Sequence, residues 1–142
     1  MSNSESTTDR RRVVPPARLV MLVLGIMYLV LAVIGFITVG FQEFGPERPE
    51  RMLGVLGVST LLSIVHTGLG AVLTVAALRG AATALAPVAT VAFTALSAFG
   101  IVARVFGGTG DPLNLTWWNI ALYLVSAVAC GLVGALPRLA SR

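Results

Sequence analysis

Four long apolar stretches, separated by short polar segments, dominate the chain after its first 16 residues. Charged side chains fall between these stretches and not within them. About 20 apolar residues in helical form are enough to cross the roughly 30 Å hydrocarbon core of a bilayer. The pattern therefore predicts an all-α polytopic membrane protein, a four-transmembrane-helix bundle within residues 17–138. The predicted spans are residues 19–39, 55–78, 83–103 and 115–136.

The segments outside the spans predict tails and turns. Residues 1–16 are rich in Ser, Thr and Arg and cannot bury an apolar core, so we expect a disordered cytoplasmic tail. Arg79-Gly80 leave room only for a tight turn, which makes the second and third spans an antiparallel pair. Pro137 and Arg138 are expected to end the fourth span, and residues 139–142 form a second short cytoplasmic tail.

The composition supports a membrane protein and argues against nucleic acid as a partner. Of 142 residues, 56% are hydrophobic and 11% are charged, whereas soluble domains average roughly 45–50% and about 25%. The ten basic residues are all Arg, and they lie near the ends of spans rather than in a patch with aromatic side chains. A net charge of +4 in this arrangement does not indicate a nucleic-acid interface. The partner that the sequence indicates is the lipid bilayer.

The distribution of Arg predicts the orientation in the membrane. Cytoplasmic ends of spans carry an excess of basic residues. With the N-terminus inside, the inner side holds Arg10, Arg11, Arg12, Arg18, Arg79, Arg138 and Arg142, and the outer side holds Arg48, Arg51 and Arg104. Both termini are therefore expected in the cytoplasm. The expected interfacial anchors are Trp117, Trp118, Arg18, Arg79 and Arg138.

His66 is the ionisable residue that the pattern places near the middle of a span. Ser59, Ser63 and Gly70 lie on the same helical face as His66. An ionisable group within a bilayer is a functional hypothesis by default, but a neutral imidazole can also bond to another helix and only hold the bundle together. Both roles stay open. The expected intramembrane polar cluster consists of His66, Ser63, Ser59, Tyr28 and Asn119.

The residue set does not indicate an enzyme, a metal site or another cofactor site. The chain has one His and one Cys, and its Asp and Glu residues all lie outside the predicted spans. A protein metal site wants three or four ligands, and a Ser–His–acid triad needs an acid near the His. We therefore expect no catalytic activity and no cofactor. Haem could be held only if two copies of the chain each supplied His66.

Small residues four positions apart recur in the second and fourth spans. Such faces let membrane helices approach closely. Inside one chain they pack the bundle, whereas on an outer face they dock a second copy or a partner. The faces are Ser59/Ser63, Gly70/Thr74, Ser126/Cys130, Ala127/Gly131 and Gly131/Ala135.

A weak internal repeat relates the first two spans to the last two. The matched pairs are Tyr28 with Phe93, Gly35 with Gly100, and Ser63 with Asn119. Each unit would be a hairpin that starts and ends on the same side, which makes the repeat parallel, of the 2+2 kind.

Several short motifs resemble those of a bacterial four-helix membrane family, domain of unknown function 4383. Its second helix has the pattern His-Asn-x-x-His-x-x-x-Gly, in which Leu62 and Ser63 replace the first two residues while His66 and Gly70 are kept. Other matches are Tyr28-Leu29 and Gly35-Phe36 in the first helix, and Pro112-Leu113-Asn114 with Asn119 before and at the start of the fourth. The resemblance implies a four-helix fold and its topology, and it implies no activity.

The function that the sequence favours is non-enzymatic. We expect a structural or accessory component of a homo-oligomer or of a larger membrane complex, for example an energy-converting one, in a bacterial cytoplasmic (inner) membrane. The alternative is a small transporter or a ligand- or haem-binding membrane protein that uses the polar cluster around His66.

Overall fold

The computed structural model describes residues 15–41, 51–52, 54–106 and 111–140. These residues form four α-helices and one pair of two-residue strands. The elements are α1 (Pro16–Val39), β1 (Arg51–Met52), β2 (Leu56–Gly57), α2 (Thr60–Leu78), α3 (Ala82–Phe106) and α4 (Trp117–Ala140). Each helix is long and apolar enough to cross a membrane. The predicted all-α, four-helix membrane fold is confirmed.

The four helices pack as two hairpins. α1 lies mainly against α2 and α3 mainly against α4, and contacts between the two pairs are fewer. At one end of the first hairpin, Arg18 Nη2 donates to the carbonyl of Leu78 over 3.4 Å. At the other end, Thr60 Oγ1 donates to the carbonyl of Gly40 over 3.1 Å. The two helices of this hairpin are therefore aligned along their whole length.

The second helix begins five residues later than the predicted span. Residue 55 was the expected start, but Gly54 adopts a left-handed φ of 76° and the next residues form a turn and β2. β2 pairs antiparallel with β1, with Met52 opposite Leu56. Ser59 then caps α2, since its side chain accepts from the backbone N–H of Leu62 over 3.1 Å. The apolar composition of residues 55–58 hid this start signal.

The fourth helix is longer than predicted. It continues to Ala140, past Pro137 and Arg138, which were expected to end it. Proline removes one backbone donor and strains the turn before it, but membrane helices often continue through a proline. The third helix also exceeds its predicted span and runs from Ala82 to Phe106.

Most hydroxyl groups on these helices bond to the carbonyl one turn earlier in the same helix. In a bilayer a hydroxyl has no water to bond with, so this internal bond removes the cost of placing it there. The distances are 2.8–3.0 Å for Thr38, Ser63, Thr67, Thr90, Thr94, Ser97 and Ser126. These hydroxyl groups therefore need no partner on another helix to be satisfied.

The buried positions repeat between the two hairpins. The buried residues of α1 are Ala17, Met21, Gly25, Tyr28, Ala32 and Gly35, and those of α3 are Ala82, Ala86, Ala89, Phe93, Ser97 and Gly100. A shift that takes Tyr28 to Phe93 superimposes all but one of them. In α2 and α4 most of the buried positions coincide when His66 is matched with Tyr123. The predicted match of Ser63 with Asn119 is therefore displaced by one residue.

Candidate functional site

One aromatic or imidazole ring from each helix meets at the centre of the bundle. Tyr28 of α1, His66 of α2, Phe93 of α3 and Tyr123 of α4 form what we term the ring cluster. The centroid of the Tyr28 ring lies 5.2 Å from His66, 5.1 Å from Phe93 and 6.2 Å from Tyr123. Phe93 and both tyrosines are fully buried, and His66 is 3% exposed. The rings thus fill the space where the two hairpins face each other.

Two side-chain hydrogen bonds in the ring cluster join the hairpins. His66 Nε2 lies 2.7 Å from the hydroxyl oxygen of Tyr123, and the tautomer of His66 decides which group donates. Tyr28 Oη lies 2.9 Å from Ser126 Oγ. Since the Ser126 hydroxyl already donates to the carbonyl of Leu122, Tyr28 is the donor to Ser126. Each bond runs from the first hairpin to α4.

Glycines on α1 and α2 position Tyr28 against His66. A Cβ on Gly70 would lie 2.8 Å from both the carbonyl oxygen of Gly25 and the backbone nitrogen of Leu29. Such distances are shorter than real Cβ contacts, so only glycine allows these helices to touch through their backbones. This contact lies about one turn from the ring cluster on each helix. It fixes the depth at which the two rings meet.

A second polar region closes the bundle at the end where α4 begins. Asn119 binds both backbone groups of Gly57, because its Oδ1 accepts from the N–H over 2.8 Å and its Nδ2 donates to the carbonyl over 3.2 Å. The same Oδ1 accepts from Thr116. Gly57 precedes α2 and Asn119 belongs to α4, so this region, which we term the polar cap, also joins the two hairpins.

The loop before α4 completes the polar cap. The carboxylate of Asp111 accepts from the backbone N–H groups of Leu113 over 3.0 Å and Leu115 over 2.6 Å. Between them, Asn114 adopts a left-handed φ of 51° and donates from Nδ2 to the carbonyl of Val58 over 3.0 Å. Asparagine tolerates this conformation better than most residues. The loop is therefore fixed against the start of α2.

The structure divides the predicted polar cluster into separate groups. Tyr28 and His66 do come together, in the ring cluster. Ser59 instead caps α2, and Ser63 donates to the carbonyl of Ser59. Asn119 lies in the polar cap and contacts backbone groups near the bundle end. The five residues of the predicted cluster therefore lie at different depths in the bundle.

Sequence reasoning missed the residues of the second hairpin that complete the ring cluster. These are Phe93, Tyr123 and Ser126. A usable signal was present, because Tyr123 follows Asn119 by four residues and so lies one turn further along the same face. Phe93 was matched to Tyr28 in the repeat without being assigned to the site.

The predicted anchors lie at the two ends of the bundle. Trp117 and Trp118 are 55% and 63% exposed at the start of α4. Arg18 and Arg79 lie at the opposite end, where α1 starts and α2 stops. The side chain of Arg138 falls outside the described residues. Tryptophan at one interface and arginine at the other are typical of membrane helices.

The ring cluster offers little to a metal ion in the part of the chain that the structure describes. Among those residues, no group of three or more His, Cys, Asp or Glu side chains lies together. A metal bound at His66 Nε2 would have to displace the hydroxyl of Tyr123. The contacts that the ring cluster makes are hydrogen bonds and ring packing between helices.

The fold and these two regions define a multi-pass membrane protein built as a four-helix bundle. Residues 18–136 match the model of a family described as domain of unknown function (DUF4383), and the chain belongs to this family. The resemblance noted in the sequence is thus confirmed. No curated protein and no solved structure matches the chain significantly.

Proposed function

We propose that the protein is a non-catalytic structural or accessory component of a membrane assembly. It would act as a homo-oligomer or within a larger complex, for example an energy-converting one. The observation that carries this proposal is the burial of the polar groups at the centre of the bundle. His66 is 3% exposed, and Tyr28, Tyr123 and Ser126 are fully buried. Groups that bind or move a solute need access to it, whereas these groups bond to one another.

The small-residue faces support packing within the chain rather than docking of a partner. Gly70 and Thr74 face Gly25 of α1. Ser126 and Cys130 are buried and contact the first hairpin through Tyr28 and Met21. An association with another membrane protein would therefore use other faces of the bundle.

The outward face of α1 supports self-association. Its exposed residues recur at alternating steps of three and four, the spacing of a coiled-coil seam. They are Leu19, Val23, Ile26, Val30, Val33 and Ile37, each at least half exposed. Most are β-branched and already stiff in a helix, so they lose little side-chain entropy when they pack. We assign this face to a second copy of the chain.

Disulfide cross-linking in membranes tests this assignment. A Val30→Cys variant, oxidised in native membranes, is expected to form a dimer on a non-reducing gel. A Val91→Cys variant is the matched control, since Val91 is 69% exposed on α3 and lies outside the proposed face. Failure of cross-linking at both Val23 and Val30, together with a lone monomer after purification in mild detergent, would contradict the oligomer.

The alternative function is a small transporter or a ligand- or haem-binding protein that uses His66. A His66→Ala variant separates the two hypotheses. A structural role predicts lower thermal stability and weaker assembly without a change in solute uptake by reconstituted vesicles. A Soret band in the purified wild-type protein, or uptake that disappears in the variant while the fold is retained, would favour the alternative.

We also propose a bacterial cytoplasmic (inner) membrane as the location, with both termini in the cytoplasm. The support is the excess of Arg on the side of the termini, seven residues against three. A tag at either end is expected to resist protease in intact cells and to become accessible after lysis. A tag digested in intact cells would contradict this orientation.

A further inference from the structure

A lipid-facing groove runs between α2 and α3. Because α2 packs on α1 and α3 packs on α4, few contacts close the space between the two inner helices of the chain. One part of the groove has a volume of about 240 Å³, and its lining includes Gly68 and Val72 of α2 and Leu85 and Ala92 of α3. An adjoining part of about 380 Å³ shares Val72 and Leu85 with it and reaches Arg79. The two parts form one apolar groove with a cation at its end.

The length of the groove matches a single leaflet. Gly68 and Arg79 are 11 positions apart on α2, a rise of roughly 16 Å at 1.5 Å per residue. Half of a hydrocarbon core of roughly 30 Å is about 15 Å. A partner helix would run along the whole bilayer, whereas one acyl chain ends near the midplane. The geometry therefore fits a lipid chain better than a second protein.

The charge at the mouth of the groove fits an anionic headgroup. Arg79 lines the groove itself. Arg18 lies at the same end of the bundle, because its Nη2 donates to the carbonyl of Leu78, the residue before Arg79. Asp111 is the acidic residue within the described part of the chain, and it lies in the polar cap at the other end of the bundle. Two guanidinium groups without a nearby described acid attract a phosphate.

We propose that the α2–α3 groove is a binding site for one anionic phospholipid. An acyl chain lies in the groove, with its methyl end near Gly68 and Ala92 and its headgroup end at Arg79. The phosphate of the headgroup lies at Arg79 with Arg18 beside it. The site goes beyond a structural role, because it gives the protein a preference for one lipid class in one leaflet.

Native mass spectrometry of the full chain in mild detergent tests the site. The probes are phosphatidylglycerol and phosphatidylcholine with identical acyl chains, added in equal amount. We expect one retained lipid per chain and a preference for phosphatidylglycerol. An Arg79→Gln variant is expected to reduce this preference about fivefold, the effect of one interfacial charge. An Arg104→Gln variant is the control, since Arg104 ends α3 on the opposite side.

A second pair of variants tests the groove independently of charge. Gly68→Leu fills it, and a Cβ at Gly68 meets no heavy atom within 4 Å, so the bundle tolerates the change. We expect this variant to lose retention of both lipids at least fivefold. Ala98→Leu is the control, because Ala98 is exposed on α3 and does not line the groove.

Three results would overturn the proposal. The first is equal retention of the two lipids by the wild-type protein. The second is loss of lipid to the same extent in Gly68→Leu and Ala98→Leu, which would indicate general lipid contact only. The third is conversion of a dimer to a monomer by Gly68→Leu, which would assign the groove to a second copy of the chain.

Discussion

The interfaces within the hairpins and the interface between them are built on different principles. α1 and α2 touch through backbone atoms at Gly25 and Gly70, where a side chain would have no room. Between the hairpins, large rings and two hydrogen bonds bridge a wider gap, from Tyr28 and His66 to α4. Small residues thus join α1 to α2, and large polar rings join the two hairpins.

The difference follows from the medium. In lipid, apolar side chains gain little by leaving their surroundings, so helices associate through close packing and hydrogen bonds. Close packing is not directional, and it holds α1 against α2 even though the connection between them is longer than the turn at Arg79 and Gly80 that joins the two hairpins. Hydrogen bonds between rings fix one orientation. They set how the two hairpins meet across the centre of the bundle.

A bulky residue at Gly70 is expected to have the largest effect. Gly70→Val would place side-chain atoms against the backbone of α1, where the Cβ already lies 2.8 Å from Gly25 O. Neither backbone can move without separating the helices, so we expect a loss of about 3 kcal/mol or more. Thermal unfolding in detergent, followed by circular dichroism, measures it. Gly68→Val is the control on the same helix, and an equal loss there would contradict the backbone contact.

Removing the polar cap is expected to be the next largest change. Asn119→Leu would leave the buried N–H and C=O of Gly57 without this partner, at about 1–3 kcal/mol for each group. Asn119→Asp keeps an acceptor for the N–H and should fall between Leu and wild type. The same unfolding measurement ranks the three proteins. Equal stability of the Leu and Asp variants would contradict the two-sided contact.

The bond between His66 and Tyr123 is expected to contribute less. Tyr123→Phe and His66→Leu each leave one buried partner unpaired, whereas the double variant removes both. A double-mutant cycle should give a coupling of roughly 0.6–2 kcal/mol. Additive effects of the two changes would mean that the bond does not join the hairpins.

Replacing Thr74 is expected to have the smallest effect on stability, and to raise the stability rather than lower it. Its Oγ1 is buried with no hydrogen-bond partner among the described residues, unlike most of the other helix hydroxyls. Thr74→Val keeps the shape and removes the unpaired group, so we expect a gain of up to about 1 kcal/mol. Thr94→Val is the control, since Thr94 donates to the carbonyl of Thr90. A lower melting temperature for Thr74→Val, with no such change in Thr94→Val, would mean that Thr74 Oγ1 does make a stabilising hydrogen bond, and it would contradict this prediction.

The fold could be predicted from the sequence, because each span is a long run of apolar residues bounded by Arg, Pro or Gly. The start of α2 could not be predicted, because residues 55–58 are as apolar as the span itself. What separates them from the helix is the capping bond of Ser59, a feature of backbone geometry.

The site was predicted in part for a related reason. His66 and Tyr28 stood out as polar groups in apolar surroundings, and they do meet. Asn119 stood out equally, but its depth depends on where α4 begins. Tyr123 was not predicted to belong to the site, although it is the residue that bonds to His66. Which polar groups pair across helices depends on the relative depth of the helices. The predicted match of Ser63 with Asn119 was displaced by one residue, so it did not give that depth correctly.

The single cysteine gives the chain a practical property. Cys130 is fully buried, with its sulfur 3.9 Å from Met21 Sδ. A thiol enclosed by apolar side chains is inert to water-soluble reagents while the protein is folded. A cysteine introduced at any surface position would then be the one site that a maleimide dye labels. Residues along both ends of the bundle can be mapped in this way without first altering the native chain.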